Sequence, residues 1–169
     1  MRVIICGGFY RTGSTWLFNL IKQTILESGG SVAQTGGTEP LFCEQEFLIH
    51  KTHVFCPELL SRAEFVFYSV RNMNEICASW QKMTGEPINE THLKVYEEGL
   101  KYAERADFSL DFPRIYSDKE GVATQVAQAL GLSVNVENVL ARLEAIKPPT
   151  EQNYDPESYL FRNHISPRW

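Results

Sequence analysis

The sequence is poor in the features that mark metal-binding, membrane and nucleic-acid-binding proteins. Its four cysteines, at positions 6, 43, 56 and 77, form no CxxC pair, so reduced thiols are expected instead of zinc ligands or disulfides. Acidic residues outnumber basic ones by 21 to 16, which argues against a nucleic-acid or anionic-membrane partner. No apolar stretch approaches the ~20 residues of a membrane span, and the apolar run at residues 3–6 is too short for a signal peptide. These absences predict a cytoplasmic protein in which any anion-binding site is local.

The remaining composition is that of a folded domain. Of the 169 residues, 43% are apolar and 22% are charged, which is typical of a globular protein. This length fits a single domain over residues 1–169 and leaves no room for a separate domain that would bind a second substrate.

The order of the predicted elements indicates an α/β fold. Residues 3–6 lack alternation of apolar and polar side chains, as expected for a strand buried on both faces, and Phe65–Val70 is rich in aromatic and β-branched residues. Strands that alternate with helices predict a doubly wound parallel sheet flanked by helices. The other predicted strands lie at residues 47–53 and near 114–116, and the predicted helices cover residues 14–27, a segment capped by Asn72 or Asn74, residues 92–105, a segment that ends at Leu130 before Gly131, and residues 136–145.

The turn after the first predicted strand has the pattern of a phosphate-binding loop. Gly8, Gly13 and Thr15 match the Walker pattern GxxxxGK[ST], but Ser14 stands where the lysine belongs. A strand, a glycine turn and a helix N-terminus still offer several backbone N–H groups and the positive end of the helix dipole to an anion. Arg11 places a cation at the front of the loop, where a guanidinium can bridge a phosphate and a group being transferred. Anion binding is therefore predicted, and NTPase chemistry is not.

At this point the sequence resembles the sulfotransferases that use 3′-phosphoadenosine 5′-phosphosulfate (PAPS). Their phosphosulfate loop typically reads Lys or Arg, Ser or Thr, Gly, Ser or Thr, Thr, Trp. The resemblance implies a P-loop-like sulfotransferase fold with PAPS as the co-substrate. It also implies that the 5′-phosphosulfate is bound by Arg11, Thr12, Gly13, Ser14, Thr15 and Trp16.

The strand Phe65–Val70 with the segment after it resembles the 3′-phosphate motif of the same family. Arg71 follows the strand directly, and Ser79 comes eight residues later in the predicted helix. A guanidinium at the carboxyl end of a strand and a hydroxyl two helical turns later can converge on one phosphate. The resemblance implies that these two residues bind the 3′-phosphate, which distinguishes PAPS from ATP.

The general base has two candidates. Lys51 and His53 lie in a Lys-Thr-His segment like that of the cytosolic sulfotransferases, and in an extended chain their side chains point to the same side. An imidazole can take the proton of the attacking hydroxyl, an effect of roughly 10²–10⁴ in rate. Glu39, in a Glu-Pro segment similar to one in other sulfotransferase branches, is the competing or assisting base.

The remaining predictions concern the tail, the metal and the acceptor. Arg162 and Asn163 are predicted to contact the nucleotide, because a terminal basic segment covers it in several members of this family. No metal is expected, since Arg11 and Lys51 can supply the positive charge and no ligand cluster is evident. The acceptor is predicted to be a hydroxyl or amine of a small molecule or carbohydrate, which the sequence does not identify further.

Two other functions remain open at this stage. The first is a P-loop kinase of a small metabolite, which would need a Walker lysine and a strand ending in a magnesium-binding Asp; the chain has Ser14 and Arg71 there. The second is a relative that binds the nucleotide without turnover. The shortness of the chain favours this second alternative, and the presence of both Lys51 and His53 favours an enzyme.

Overall fold

A computed structural model describes residues 1–36 and 44–146 of the chain. These residues contain one five-stranded sheet in the order β2-β3-β1-β4-β5, in which every neighbouring pair is parallel. The predicted doubly wound α/β fold is therefore confirmed. The strands are β1 (Arg2–Gly8), β2 (Val32–Gly36), β3 (Phe47–Thr52), β4 (Phe65–Val70) and β5 (Phe108–Asp111).

Helices cover both faces of the sheet. Apolar side chains of α1, α6 and α7 pack on one face, and side chains of α2 and α4 pack on the other. Within the described residues, no helix has the length and apolar content that crossing a membrane requires. The helices are α1 (Ser14–Glu27), α2 (Pro57–Arg62), α3 (Met73–Thr84), α4 (Glu90–Arg105), α5 (Arg114–Ser117), α6 (Lys119–Leu130) and α7 (Val136–Ala145).

The central strand β1 explains the layered core. Ile4 and Cys6 face the layer of α1, whereas Val3 and Ile5 face the opposite layer, and none of the four is more than 5% exposed. Because successive side chains of a strand point to opposite faces, a run of apolar residues is needed where both faces are covered. The absence of polar alternation at residues 3–6 has this physical origin.

Several helix ends lie where the sequence predicts them. Asn72 caps α3 by accepting a hydrogen bond from the backbone N–H of Asn74. Gly131 ends α6 with φ of 69°, a left-handed conformation that glycine adopts without a Cβ clash. Helix α1 has both of its predicted ends.

The predicted strand near residues 114–116 is wrong. The fifth strand is Phe108–Asp111, and Arg114–Ser117 is a single helical turn. Pro113 precedes that turn with φ of −56° and ψ of −28°; its ring holds φ at a value that suits the start of a helix. The sequence reading also missed edge strand β2 and the short helix α2, which begins with Pro57.

Candidate functional site

The chemically distinctive residues lie at the carboxyl edge of the sheet. The register pairs Gly7 with Thr52 and Gly8 with Ser69, so β1, β3 and β4 end at nearly the same level. In open α/β sheets, ligands bind outside the carboxyl ends of the strands, at the position in the sheet where the strand order reverses. The loop after Gly8 and the segments after β3 and β4 therefore meet at one place.

The loop between β1 and α1 has an unusual backbone. Gly8, Arg11 and Gly13 have φ values of 152°, 66° and 88°, and Arg11 is the one residue other than glycine with positive φ among the described residues. A Cβ on Gly8 would clash with the Ser69 hydroxyl and lie 2.8 Å from Thr12 Oγ1. Positive φ at Arg11 costs about 1 kcal/mol or more, so the loop conformation is imposed by its surroundings.

A buried hydroxyl pair holds the loop against β4. Thr12 Oγ1 donates to the Phe9 carbonyl at 2.6 Å and lies 2.7 Å from Ser69 Oγ. Since the Thr12 hydroxyl has a single proton and a carbonyl only accepts, the Ser69 hydroxyl donates to Thr12. This arrangement connects Thr12, which the sequence predicts to bind the 5′-phosphosulfate, to strand β4, which Arg71 follows directly. The role of Ser69 was not apparent from the sequence.

The N-terminus of α1 opens into this loop. Its cap residue is Gly13, so no side chain caps the helix, and the first intrahelical bond is from the Leu17 N–H to the Gly13 carbonyl. The N–H groups of Ser14, Thr15 and Trp16 belong to the first turn, which intrahelical bonds leave unsatisfied. Together with the helix dipole they favour an anion.

Lys51 brings a buried cation to the same helix end. Its side chain is 2% exposed, and Nζ donates to Thr15 Oγ1 at 2.6 Å. Burial lowers the pKa of Lys51 to about 8. Cys6, the register partner of Lys51 on β1, does not supply a countercharge, because burial raises the pKa of its thiol to about 12. A charged Lys51 therefore benefits from an anion at the first turn of α1.

Arg11 joins the predicted 3′-phosphate residues into one cluster. Its Nε donates to Ser79 Oγ at 2.9 Å, and its carbonyl accepts from Arg71 Nη1 at 3.1 Å. Burial, and then the nearby charge of Arg71, lower the pKa of Arg11. Arg71 also contacts Glu75 at 2.9 Å and stacks on the Phe112 ring at 3.8 Å. Two guanidinium groups held close together are a physical sign of an anion site.

The histidine predicted as base contacts the other end of the loop. His53 Nδ1 lies 2.5 Å from the Gly8 carbonyl. A carbonyl only accepts, so Nδ1 carries the proton and the lone pair of the neutral ring is on Nε2. The strand ends at Thr52, whose hydroxyl bonds both the N–H and the carbonyl of Val54. Because the chain turns after Thr52, the two side chains have different partners: Lys51 contacts the first turn of α1, and His53 contacts the Gly8 carbonyl at the other end of the loop.

An aromatic cluster of Tyr10, Trp80 and His92 adjoins His53. The Tyr10 ring centroid lies 4.6 Å from that of His53 and 5.2 Å from that of Trp80, and the Trp80 and His92 centroids are 4.8 Å apart. All four rings are half-buried, so the cluster forms part of the surface beside the base candidate. Tyr10 and His92 were missed from the sequence, although the position of Tyr10 inside the phosphate loop is a signal that could have found it.

Other predicted site residues lie outside the described residues. These are Glu39, the competing base, and the tail residues Arg162 and Asn163. In residues 1–36 and 44–146 there is no group of three or more His, Cys, Asp and Glu side chains that could hold a metal ion.

The fold and the loop thus define an α/β protein with a candidate anion site at the carboxyl edge of its sheet. No protein-family model and no curated protein matches the chain. Mouse sulfotransferase SULT7A1 complexed with PAP matches 96% of this chain and 73% of its own, with a TM-score of 0.63 and 13% identity. Retinol dehydratase in complex with androsterone and inactive cofactor PAP matches 85% of this chain and 64% of its own, with a TM-score of 0.58 and 14% identity. The chain has the sulfotransferase fold and spans less than two thirds of retinol dehydratase.

Proposed function

We propose that this protein transfers the sulfuryl group of PAPS to a hydroxyl or amine of an acceptor. The observation that carries the proposal is the arrangement of cations around the loop between β1 and α1, which lacks a Walker lysine: Arg11 lies in the loop, Arg71 donates to the Arg11 carbonyl, and Lys51 donates to Thr15 in the first turn of α1. PAP, adenosine 3′,5′-bisphosphate, is what PAPS becomes after it loses its sulfuryl group. The sulfotransferase fold, seen in neighbours that were solved with PAP, supports the same donor.

In this proposal, different groups bind the two phosphates of PAPS. The N–H groups of residues 14–16, which intrahelical bonds leave unsatisfied, hold the 5′-phosphate at the positive end of α1. Arg71 Nη1, which donates to the Arg11 carbonyl, turns to the 3′-phosphate, and Ser79, whose Oγ accepts from Arg11 Nε, donates its hydroxyl proton to the same phosphate. Hydrogen bonds to a charged phosphate are stronger than those to a neutral hydroxyl or carbonyl, so the exchange is favourable.

The transfer step requires positioning and charge stabilisation. By analogy with phosphoryl transfer, negative charge grows on the phosphate oxygen that leaves the sulfur. Lys51, next to Thr15, and Arg11 lie where they can stabilise that oxygen. Removal of one such preorganised donor typically reduces the rate by about 10²–10³-fold.

His53 acts as the base in this proposal. Its Nδ1 is occupied by the Gly8 carbonyl, so Nε2 is the nitrogen that takes the proton from the acceptor as the acceptor attacks sulfur. The Gly8 contact fixes the tautomer and the ring orientation, as a carboxylate or carbonyl does for many catalytic histidines. Glu39 remains the alternative base.

The donor is tested by calorimetric titration with PAP, ADP and ATP. PAP should bind most tightly, and Arg71→Gln should weaken PAP binding by roughly 10- to 100-fold with little effect on ADP, because ADP has no 3′-phosphate. Arg105→Gln, at the exposed end of α4, is the matched control and should change neither affinity. Tighter binding of ATP than of PAP would instead support a kinase.

The reaction is tested with radiolabelled PAPS and a metabolite extract. A labelled product is expected, and its absence despite confirmed PAP binding would leave a nucleotide-binding relative without turnover. With a product in hand, His53→Ala should reduce its formation by about 10²–10⁴-fold while PAP affinity stays at the wild-type value. Full activity of that variant would transfer the role of base to Glu39.

A further inference from the structure

His92 is held in one tautomer by the cap of α4. Its Nδ1 accepts from the backbone N–H of Asn89 at 3.3 Å, while Asn89 Oδ1 accepts from the His92 N–H at 3.1 Å. A backbone N–H only donates, so Nδ1 carries no proton and the ring hydrogen lies on Nε2. Among the described residues, the hydrogen bond of the His92 ring is made by Nδ1. The cap therefore leaves an N–H donor on the outer side of the ring.

The same ring belongs to the aromatic cluster beside the base candidate. Its centroid lies 4.8 Å from Trp80 and 6.1 Å from Tyr10, and Tyr10 in turn lies 4.6 Å from His53. The loop and helices α3 and α4 thus bring two imidazoles to a single tyrosine ring. Each ring of this set is half-buried, so part of the cluster is exposed to solvent.

The two imidazoles have complementary hydrogen bonding. His53 donates from Nδ1, so its Nε2 is an acceptor, whereas His92 accepts at Nδ1, so its Nε2–H is a donor. A molecule that lies across Tyr10 meets one nitrogen that takes a proton and another that donates a hydrogen bond. Aromatic rings stack on flat apolar surfaces, which gives Tyr10 and Trp80 the role of a platform.

We propose that His92 is a specificity-determining residue of the acceptor site. Its Nε2–H donates to an oxygen of the acceptor other than the one that reacts, while Tyr10 and Trp80 stack on the flat part of the acceptor. The preferred acceptor is then a planar compound with a reactive hydroxyl and a second, hydrogen-bond-accepting oxygen. This inference rests on the proposed function, because it identifies the attacking group through His53.

A purely structural role of His92 makes a different prediction. The third residue of a helix caps equally well as Glu or Gln, whose side-chain oxygen reaches back to the cap N–H. His92→Gln keeps the cap and an N–H donor, whereas His92→Glu keeps the cap and removes the donor. If His92 serves only the cap, the two variants should behave alike.

The experiment uses the three methoxyphenol isomers and the corresponding ethylphenols as probes, with and without PAP. Binding is followed by the imidazole ¹H–¹⁵N spectrum of histidine-labelled protein, in which the His92 signals are identified by their loss in His92→Gln. The wild type should show the His92 hydrogen on Nε2, a shift of that signal, and tighter binding of at least one methoxyphenol than of its ethyl counterpart. The expected preference is roughly 3- to 10-fold, as for one hydrogen bond.

The variants decide the outcome. His92→Gln should keep the preference for the methoxyphenol, and His92→Glu should lose it, with PAP affinity unchanged in both. Equal preference in all three proteins, no preference in the wild type, or a ring hydrogen on Nδ1 would overturn the proposal. Binding with the expected preference but without any sulfated phenol from PAPS would instead refute the enzymatic function and leave His92 as a binding residue.

Discussion

Replacement of Lys51 by methionine should stabilise the protein without ligand and reduce the stabilisation that PAP provides. The Lys51 ammonium is 2% exposed and next to an uncharged thiol, and burial lowers its pKa from 10.5 to about 8. A depression of this size means that the charged form costs the folded state about 3 kcal/mol. Methionine has a similar length, fills the same space and carries no charge, so this cost disappears in Lys51→Met.

The pH dependence separates this cost from the loss of contacts. Below pH 8 the lysine is charged in both folded and unfolded chains, and the folded state bears the full cost. Between pH 8 and 10.5 the unfolded chain holds a proton that the folded chain has released, so the free energy of unfolding rises with pH. Between about pH 7 and about pH 9.5, wild type should gain about 2 kcal/mol relative to Lys51→Met.

Urea denaturation of both proteins at the two pH values measures this difference. Loss of the hydrogen bond to Thr15 costs Lys51→Met about 1 kcal/mol at either pH, so it does not affect the change with pH. PAP should raise the stability of wild type at pH 7 far more than that of Lys51→Met, because the anion offsets the buried charge. A difference between the two proteins that stays constant from pH 7 to about pH 9.5 would refute the assignment of Lys51 as a buried cation.

Two further predictions concern the loop. Gly8→Ala should lower the free energy of unfolding by at least about 3 kcal/mol, because the new Cβ would clash with Ser69 and Thr12 and alanine disfavours the positive φ at this position. The control Gly29→Ala, at a φ of 83° with no atom within 4 Å of the new Cβ, should lower it by about 1 kcal/mol. Equal losses of stability for the two variants in chemical denaturation would contradict this account. Arg11→Lys keeps the charge but loses the bond from Nε to Ser79, so PAP should bind roughly 10-fold more weakly. Adding Ser79→Ala should then reduce PAP affinity less in Arg11→Lys than in wild type, because the bond between the two side chains is already lost. Additive losses of PAP affinity in calorimetry would show that the two side chains act independently.

The fold was predictable where the residue pattern along the chain matches the burial of the same residues in the structure. Helix α1 has glycines beyond both ends, and β1 is an uninterrupted apolar run, so each was predicted within a few residues. The fifth strand was misplaced because Arg114, Ile115 and Tyr116 alternate in polarity as a strand would. Residues 108–111 show the same period of two, because Phe108 and Leu110 are buried and their neighbours are exposed. Pro113 distinguishes the two segments, since it stands directly before residues 114–117 with a helical φ and those residues form a helical turn.

The candidate site was predictable as far as its residues are close in sequence or have a characteristic spacing. The loop, Arg71 and Ser79 were predicted in this way, and the structure brings Arg71 and Ser79 into contact with Arg11 of the loop. His92 has no such signal, because it approaches Tyr10 only through the packing of α4 on the sheet. The tautomers of His53 and His92 depend on backbone groups at Gly8 and Asn89, which only coordinates can bring into contact.

The missing Walker lysine has a spatial counterpart. In a Walker loop the lysine begins the helix itself, but here Ser14 holds that place and Lys51 reaches Thr15 from the neighbouring strand β3. The Lys51 side chain is held in place by its burial and by its bond to Thr15 Oγ1. Arg11 adds a second charge from the front of the loop and binds Ser79 of α3. Charge therefore reaches the candidate anion site from two sides, which is what the proposed donor, with a phosphate at each end of its nucleoside, requires; a linear triphosphate chelated by magnesium would need the Walker lysine instead.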